Sequence, residues 1–118
     1  MTAQDWTQKK CLPCEGGIPM LARDQAQRYL AELPGWSLAP DGRSIGRTYA
    51  MKNFVAAVTF IQKITGIAET ENHHPDLHLT GYRSLRLELS THAIGGLSEN
   101  DFILAAKIDR LPKELKQK

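Results

Sequence analysis

Charge of one sign, long apolar runs, cysteine and internal repeats are all scarce in this 118-residue chain. Fifteen basic residues against thirteen acidic ones leave a formal charge of +2. That is too balanced for a dedicated nucleic-acid or anionic-membrane surface, and only the stretch from Lys107 to Lys118 leans basic. No uninterrupted apolar run exceeds the five residues Phe54–Val58. A membrane-spanning helix needs ~20, so no transmembrane span is expected. The opening MTAQDWTQKK lacks the apolar segment of a secretory signal, and a cytoplasmic address is the expectation. Cys11 and Cys14 form the single C-L-P-C of the chain. A structural zinc takes four ligands and there is no second such pair, while a thioredoxin-like motif should open a helix after a strand. Two reduced thiols without a role are therefore expected.

What is present has the composition of a globular domain, 42% apolar and 24% charged. Domains run to ~100–150 residues, so a single core is expected. The Pro- and Gly-rich residues 1–20 read as an irregular N-terminal arm, 21–112 as the domain, and 113–118 as a basic tail. Within the domain, Ala22, Ala26, Tyr29, Leu30 and Leu33 trace one stripe of a helix that Pro34-Gly35 stops. Trp36–Ala39 and Ser44–Met51 flank the turn Pro40-Asp41-Gly42-Arg43 and predict a hairpin, with Ile45, Tyr49 and Met51 on one face. Asn53 caps a second helix running to about Glu71. Ten of its fifteen residues from Phe54 to Ala68 are apolar, too many for one face. The stripe Phe54, Ala57, Val58, Ile61, Ile64 and Ala68 is assigned to the sheet. Val55, Phe60 and Ile67 are left for a partner subunit. Pro75 forces the chain from helix to strand. Leu77–Leu79 and the alternating Ser84–Thr91 make a second hairpin, and Ser98 caps a last helix carrying Glu99 and Asp101 in its first turn. The order is α-β-β-α-β-β-α, an α+β fold with a four-stranded antiparallel sheet and helices on one face.

The residues suited to chemistry gather at element ends. His73 and His74 follow the second helix and His92 follows the last strand, while His78 reads as an outward-facing strand residue. Glu69, four residues before His73, is placed to touch it, and with the helix C-terminus would favour the protonated imidazole. His73 could then act as an acid near neutral pH; a plain capping histidine is the alternative. Metal binding is disfavoured, because neighbouring residues of extended chain point to opposite sides and no helical H-x-x-x-H is available.

With E-T-E-N-H-H-P at 69–75, Tyr82, S-T-H at 90–92 and L-S-E-N-D at 97–101, the chain resembles the pterin-4a-carbinolamine dehydratase family from about Leu21 to Ile108. Glu69, His73-His74-Pro75, Tyr82, His92 and Asp101 fill each position of the family's pattern. Leu77 stands where animal members carry an aromatic residue, and the Cys-containing arm resembles that of some bacterial relatives. The resemblance implies dehydration of 4a-hydroxytetrahydrobiopterin to quinonoid dihydropterin, the step that recycles the cofactor of an aromatic amino-acid hydroxylase. It implies His73 and His92 as the acid/base pair and His74 as the residue that positions the pterin. Glu69 and Asp101 would orient imidazoles or hold the helix start, with Pro75 and Tyr82 beside the substrate. No metal and no cofactor is implied. A homo-oligomer, dimer or tetramer, built through the second helix is. The competing reading is a non-catalytic coactivator or assembly factor on the same fold.

Overall fold

The computed structural model describes residues 20–116. The thiols of Cys11 and Cys14 lie outside them. Three helices cover one face of a four-stranded antiparallel sheet in the expected order, α1 (Arg23–Leu30), β1 (Ser37–Leu38), β2 (Ile45–Ala50), α2 (Phe54–Glu71), β3 (Asp76–Thr80), β4 (Ser84–Leu89) and α3 (Glu99–Asp109). The strand order is β1-β2-β4-β3. Tyr49 of β2 pairs with Leu85 of β4, and Leu79 of β3 pairs with Leu85 on its other side. Among the described residues no helix is long and apolar enough to cross a membrane.

Each element ends for a local reason. α1 stops at Leu30, but the next residues tighten into i→i−3 bonds, Glu32 N to Tyr29 O at 3.0 Å and Leu33 N to Leu30 O at 2.9 Å. Leu33 is thereby carried round into the core without being helical. In the first hairpin, Asp41 Oδ1 accepts from the Arg43 amide at 2.9 Å and Gly42 takes a φ of 72°. Asn53 caps α2 by accepting from the Ala56 amide at 2.8 Å.

The period of two in β4 sends Leu85, Leu87 and Leu89 inward, where all are buried, and Arg86 and Glu88 outward. α3 lies centrally on this inner face and is buried almost all round. Tyr29 of α1 meets Phe102 edge-on at 5.3 Å on one side. On the other, Glu71 of α2 accepts from Lys107 at 2.7 Å.

One expectation about α2 fails. Phe60 is 1% exposed and packs edge-on against Tyr49 at 5.1 Å, so it belongs to the core and not to a partner-facing surface. Phe54, assigned to the sheet, is 54% exposed and Val55 is 72% exposed. The buried face is Ala56, Ala57, Phe60, Ile64 and Ala68, with Ile67 half-buried. The expected stripe is rotated because a helix apolar on most of its circumference has no sharp hydrophobic direction from which to choose.

Candidate active site

α2 ends in a Schellman arrangement: Asn72 adopts the left-handed conformation (φ 53°, ψ 42°) and the His73 amide reaches back to Ala68 O at 3.1 Å. Asparagine tolerates this region better than most side chains. Its consequence is that residue 73 no longer continues the helical surface. The i to i+4 pairing of Glu69 with His73 therefore does not form. Glu69 Oε2 instead lies 2.6 Å from His74 Nε2, in a pair with both side chains well exposed.

His73 turns inward. Its Nε2 is 2.7 Å from Oδ1 of Asp101, which is fully buried, and the imidazole is buried with it. Asp101 is the third residue of α3. Its Oδ2 accepts from the Ser98 amide at 3.0 Å while the Ser98 hydroxyl accepts from the Asn100 amide at 3.2 Å, a capping box with aspartate in the acidic position. The Thr91 hydroxyl also donates to Asp101 Oδ2, at 3.0 Å, and lies 2.8 Å from the Ser98 hydroxyl. Orienting an imidazole and holding a helix start are thus one task of one carboxylate.

The remaining expected residues are placed unevenly. The backbone of His92 begins a 3-10 turn, His92–Ile94, directly after Thr91. Pro75 bridges His74 and the first residue of β3. Tyr82 sits in the β3–β4 turn at φ 57°, exposed, with Arg83 over its ring at 5.4 Å. A five-residue strand separates that turn from the histidine junction, a span of roughly 17 Å at ~3.3 Å per residue. Within one chain Tyr82 is therefore not brought to the histidines. His78 points from the outer face of the sheet towards Glu88 at 3.1 Å. Leu77 sits on the inner face of β3, opposite Leu87.

Sequence reasoning did not single out Thr91 and Ser98 as partners of the site. The available signal was the S-x-x-D of the capping box, which fixes Asp101 at the start of α3 and hence turns its carboxylate back towards residues 91 and 98.

A second polar cluster surrounds Asp109 at the other end of α3. Its carboxylate accepts from Trp36 Nε1 at 2.9 Å, Arg47 Nη1 at 3.1 Å and the Tyr49 hydroxyl. Burial pushes the Tyr49 phenol far above its ordinary value, and the Asp109 hydrogen bond and charge add to this against the opposing Arg47. Lys113 donates to the Asp109 carbonyl at 2.7 Å, and burial lowers its ammonium from the usual range. A cleft of about 290 Å³ beside it is lined by Phe60, Lys63 and Lys113, and includes neither His73, His74 nor Asp101.

A family model described as pterin 4 alpha carbinolamine dehydratase matches residues 19–111. A protein of Halorhodospira halophila provisionally named a pterin-4-alpha-carbinolamine dehydratase is 48% identical over 105 residues, 89% of this chain and 95% of that protein. Pterin-4-alpha-carbinolamine dehydratase 2, mitochondrial, of Arabidopsis thaliana is 45% identical over 113 residues, which cover 93% of this chain and 60% of the Arabidopsis protein. The crystal structure of a transcriptional coactivator/pterin dehydratase from Brucella melitensis matches with a TM-score of 0.73 at 27% identity, over 77% of this chain and 96% of that one.

Proposed function

Because the chain belongs to the pterin-4a-carbinolamine dehydratase family, we propose that it dehydrates 4a-hydroxytetrahydrobiopterin to quinonoid dihydropterin by imidazole acid/base catalysis, in tetrahydropterin recycling. The reaction moves two protons and breaks one bond. An acid protonates the C4a hydroxyl, the C4a–O bond breaks with loss of water, the N5 lone pair forms the new C=N bond, and a base takes the N5 proton. Imidazoles exchange protons near neutral pH and each positioned group contributes roughly 10²–10⁴-fold. His73 and His92 are the acid/base pair in this reading, and His74 positions the pterin with Glu69 behind it.

The observation that carries the reading is the buried His73–Asp101 contact. A carboxylate that fixes an imidazole's orientation is the standard support for a proton-transferring histidine. The test is decay of enzymatically generated carbinolamine, which the chain should accelerate in the presence of chelator. His74→Ala should act mainly through KM. No acceleration over the uncatalysed decay would refute the reading.

The name of the Brucella melitensis structure favours a second reading, a protein-binding role on the same fold. Binding and catalysis need different surfaces, and the exposed Phe54 and Val55 of α2 suit a contact between copies in a dimer or tetramer. Val55→Glu should dissociate that oligomer, as read by light scattering, and leave the monomer folded. The same substitution at Phe60 should instead unfold the chain, since it would bury an unpaired carboxylate in the core. A functional link to an aromatic amino-acid hydroxylase follows from the dehydratase reading and is tested by adding the chain to a turning-over hydroxylase.

A further inference from the structure

Thr91 is fully buried, precedes His92 and contacts Asp101, so one residue touches the supports of both proposed catalytic histidines. We propose that Thr91 is a positioning residue: its hydroxyl sets the His73 imidazole through Asp101, while its backbone closes the turn that begins at His92. The functional meaning rests on the dehydratase reading; the geometry does not.

Counting protons fixes the direction of the hydroxyl chain. Thr91 has one hydroxyl proton and donates it to Asp101 Oδ2, so the 2.8 Å contact with Ser98 is a donation from Ser98 to Thr91. Oδ2 then receives two donors, the Thr91 hydroxyl and the Ser98 amide. The plane of the carboxylate is held from that side, and Oδ1 is presented to His73. An ionised carboxylate only accepts, so His73 Nε2 must carry the proton. The hydroxyl of Thr91 thus acts on the tautomer and orientation of an imidazole it does not touch.

The backbone of Thr91 holds the backbone of the turn that begins at His92. Its amide donates to Gly96 O at 2.8 Å, and its carbonyl accepts from Ile94 N at 3.2 Å and Gly96 N at 3.4 Å. The turn that starts at His92 is closed on Thr91 from both ends, with Gly95 at φ 66° to make the return. Valine would fill the same volume, so packing alone does not call for a hydroxyl here; a buried hydroxyl costs free energy unless bonded.

The test compares Thr91→Val with Thr91→Ser. The valine variant should lower kcat by about tenfold or more with KM nearly unchanged, and serine, which restores the hydroxyl, should recover most of the rate. Nitrogen-15 imidazole spectra of the free protein should show His73 protonated at Nε2 in the unmodified chain and in the serine variant, and displaced in the valine variant. Unchanged kcat and unchanged His73 resonances in Thr91→Val would overturn the proposal. Should the unmodified chain lack dehydratase activity, the function reading fails, and the spectra still decide the positioning. If Thr91→Val does not fold, Ser98→Ala removes the donor behind Thr91. A smaller shift of the same resonances supports the proposal and none overturns it.

Discussion

The two ends of α3 each carry an aspartate that accepts several hydrogen bonds, and they differ in what neutralises the charge. Asp109 faces a guanidinium, Arg47, together with the Trp36 and Tyr49 donors. Arginine stays charged at any pH the protein meets, so the countercharge to Asp109 is permanent. Asp101 faces hydroxyls, an amide and the imidazole of His73. Among the described residues, the partner there that can carry positive charge is the His73 imidazole, the group to which the proposed reaction gives proton transfer. A carboxylate matched to a permanent cation ties the fold, and a carboxylate matched to an imidazole orients a ring that the proposed reaction uses for proton transfer. The same helix does both, at its two termini.

Removing each aspartate's charge is the strongest way to break the comparison. Asp101→Asn should lower kcat by roughly 10²-fold or more, because an amide cannot accept from Thr91, the Ser98 amide and His73 together. The carbinolamine assay measures this, and a near-normal rate would place the two ends on the same footing. Asp109→Asn should leave kcat within about twofold while reducing unfolding free energy by about 1–3 kcal/mol, read by urea titration. A loss of rate matching that of Asp101→Asn would mean that the two ends are coupled.

The smallest expected effect sharpens the structural end alone. The Tyr49 phenol titrates far higher in the folded chain than in the unfolded one, where it ionises near 10. Above that pH the folded state binds more protons than the unfolded state, so this group's contribution is intact below about 10 and is lost progressively as pH rises. Tyr49→Phe should flatten the alkaline fall in stability, at a cost near neutrality of about 1 kcal/mol for the lost hydrogen bond. Urea midpoints across alkaline pH check both parts.

Most of the architecture was legible in the sequence because its boundaries are written in strong signals: Asn53, Pro75 and Ser98 each sit where an element starts or stops, whereas α1 ends at Leu30, four residues before the expected stop at Pro34-Gly35. The alternation of Leu85, Leu87 and Leu89 fixed the inner face of β4 in the same way. Two further features were not legible, for different reasons. The buried face of α2 was misassigned at Phe60 and Phe54 because apolar residues surround most of that helix. The partner of Glu69 was misassigned because helical spacing was carried one residue past its end, across the left-handed Asn72 that turns His73 to Asp101 and leaves His74 for Glu69. The histidines were found by motif; the carboxylate each one meets depended on a backbone angle.

The Asp109 clasp also bears on how the chain folds. Trp36 and Asp109 are 73 residues apart, whereas His73 and Asp101 are 28 apart and Thr91 and Asp101 only 10. Closing the longer loop rather than the 28-residue one costs about 0.9 kcal/mol more in chain entropy. The segment from α2 to α3 holds the histidine junction, Thr91 and Asp101, and can gather by short closures before the first hairpin docks. Substitutions in the clasp should therefore speed unfolding with little effect on the folding rate, and those around Asp101 should slow folding, as stopped-flow chevrons would read. The chain would then assemble its chemistry first and fasten its N-terminal hairpin over it last.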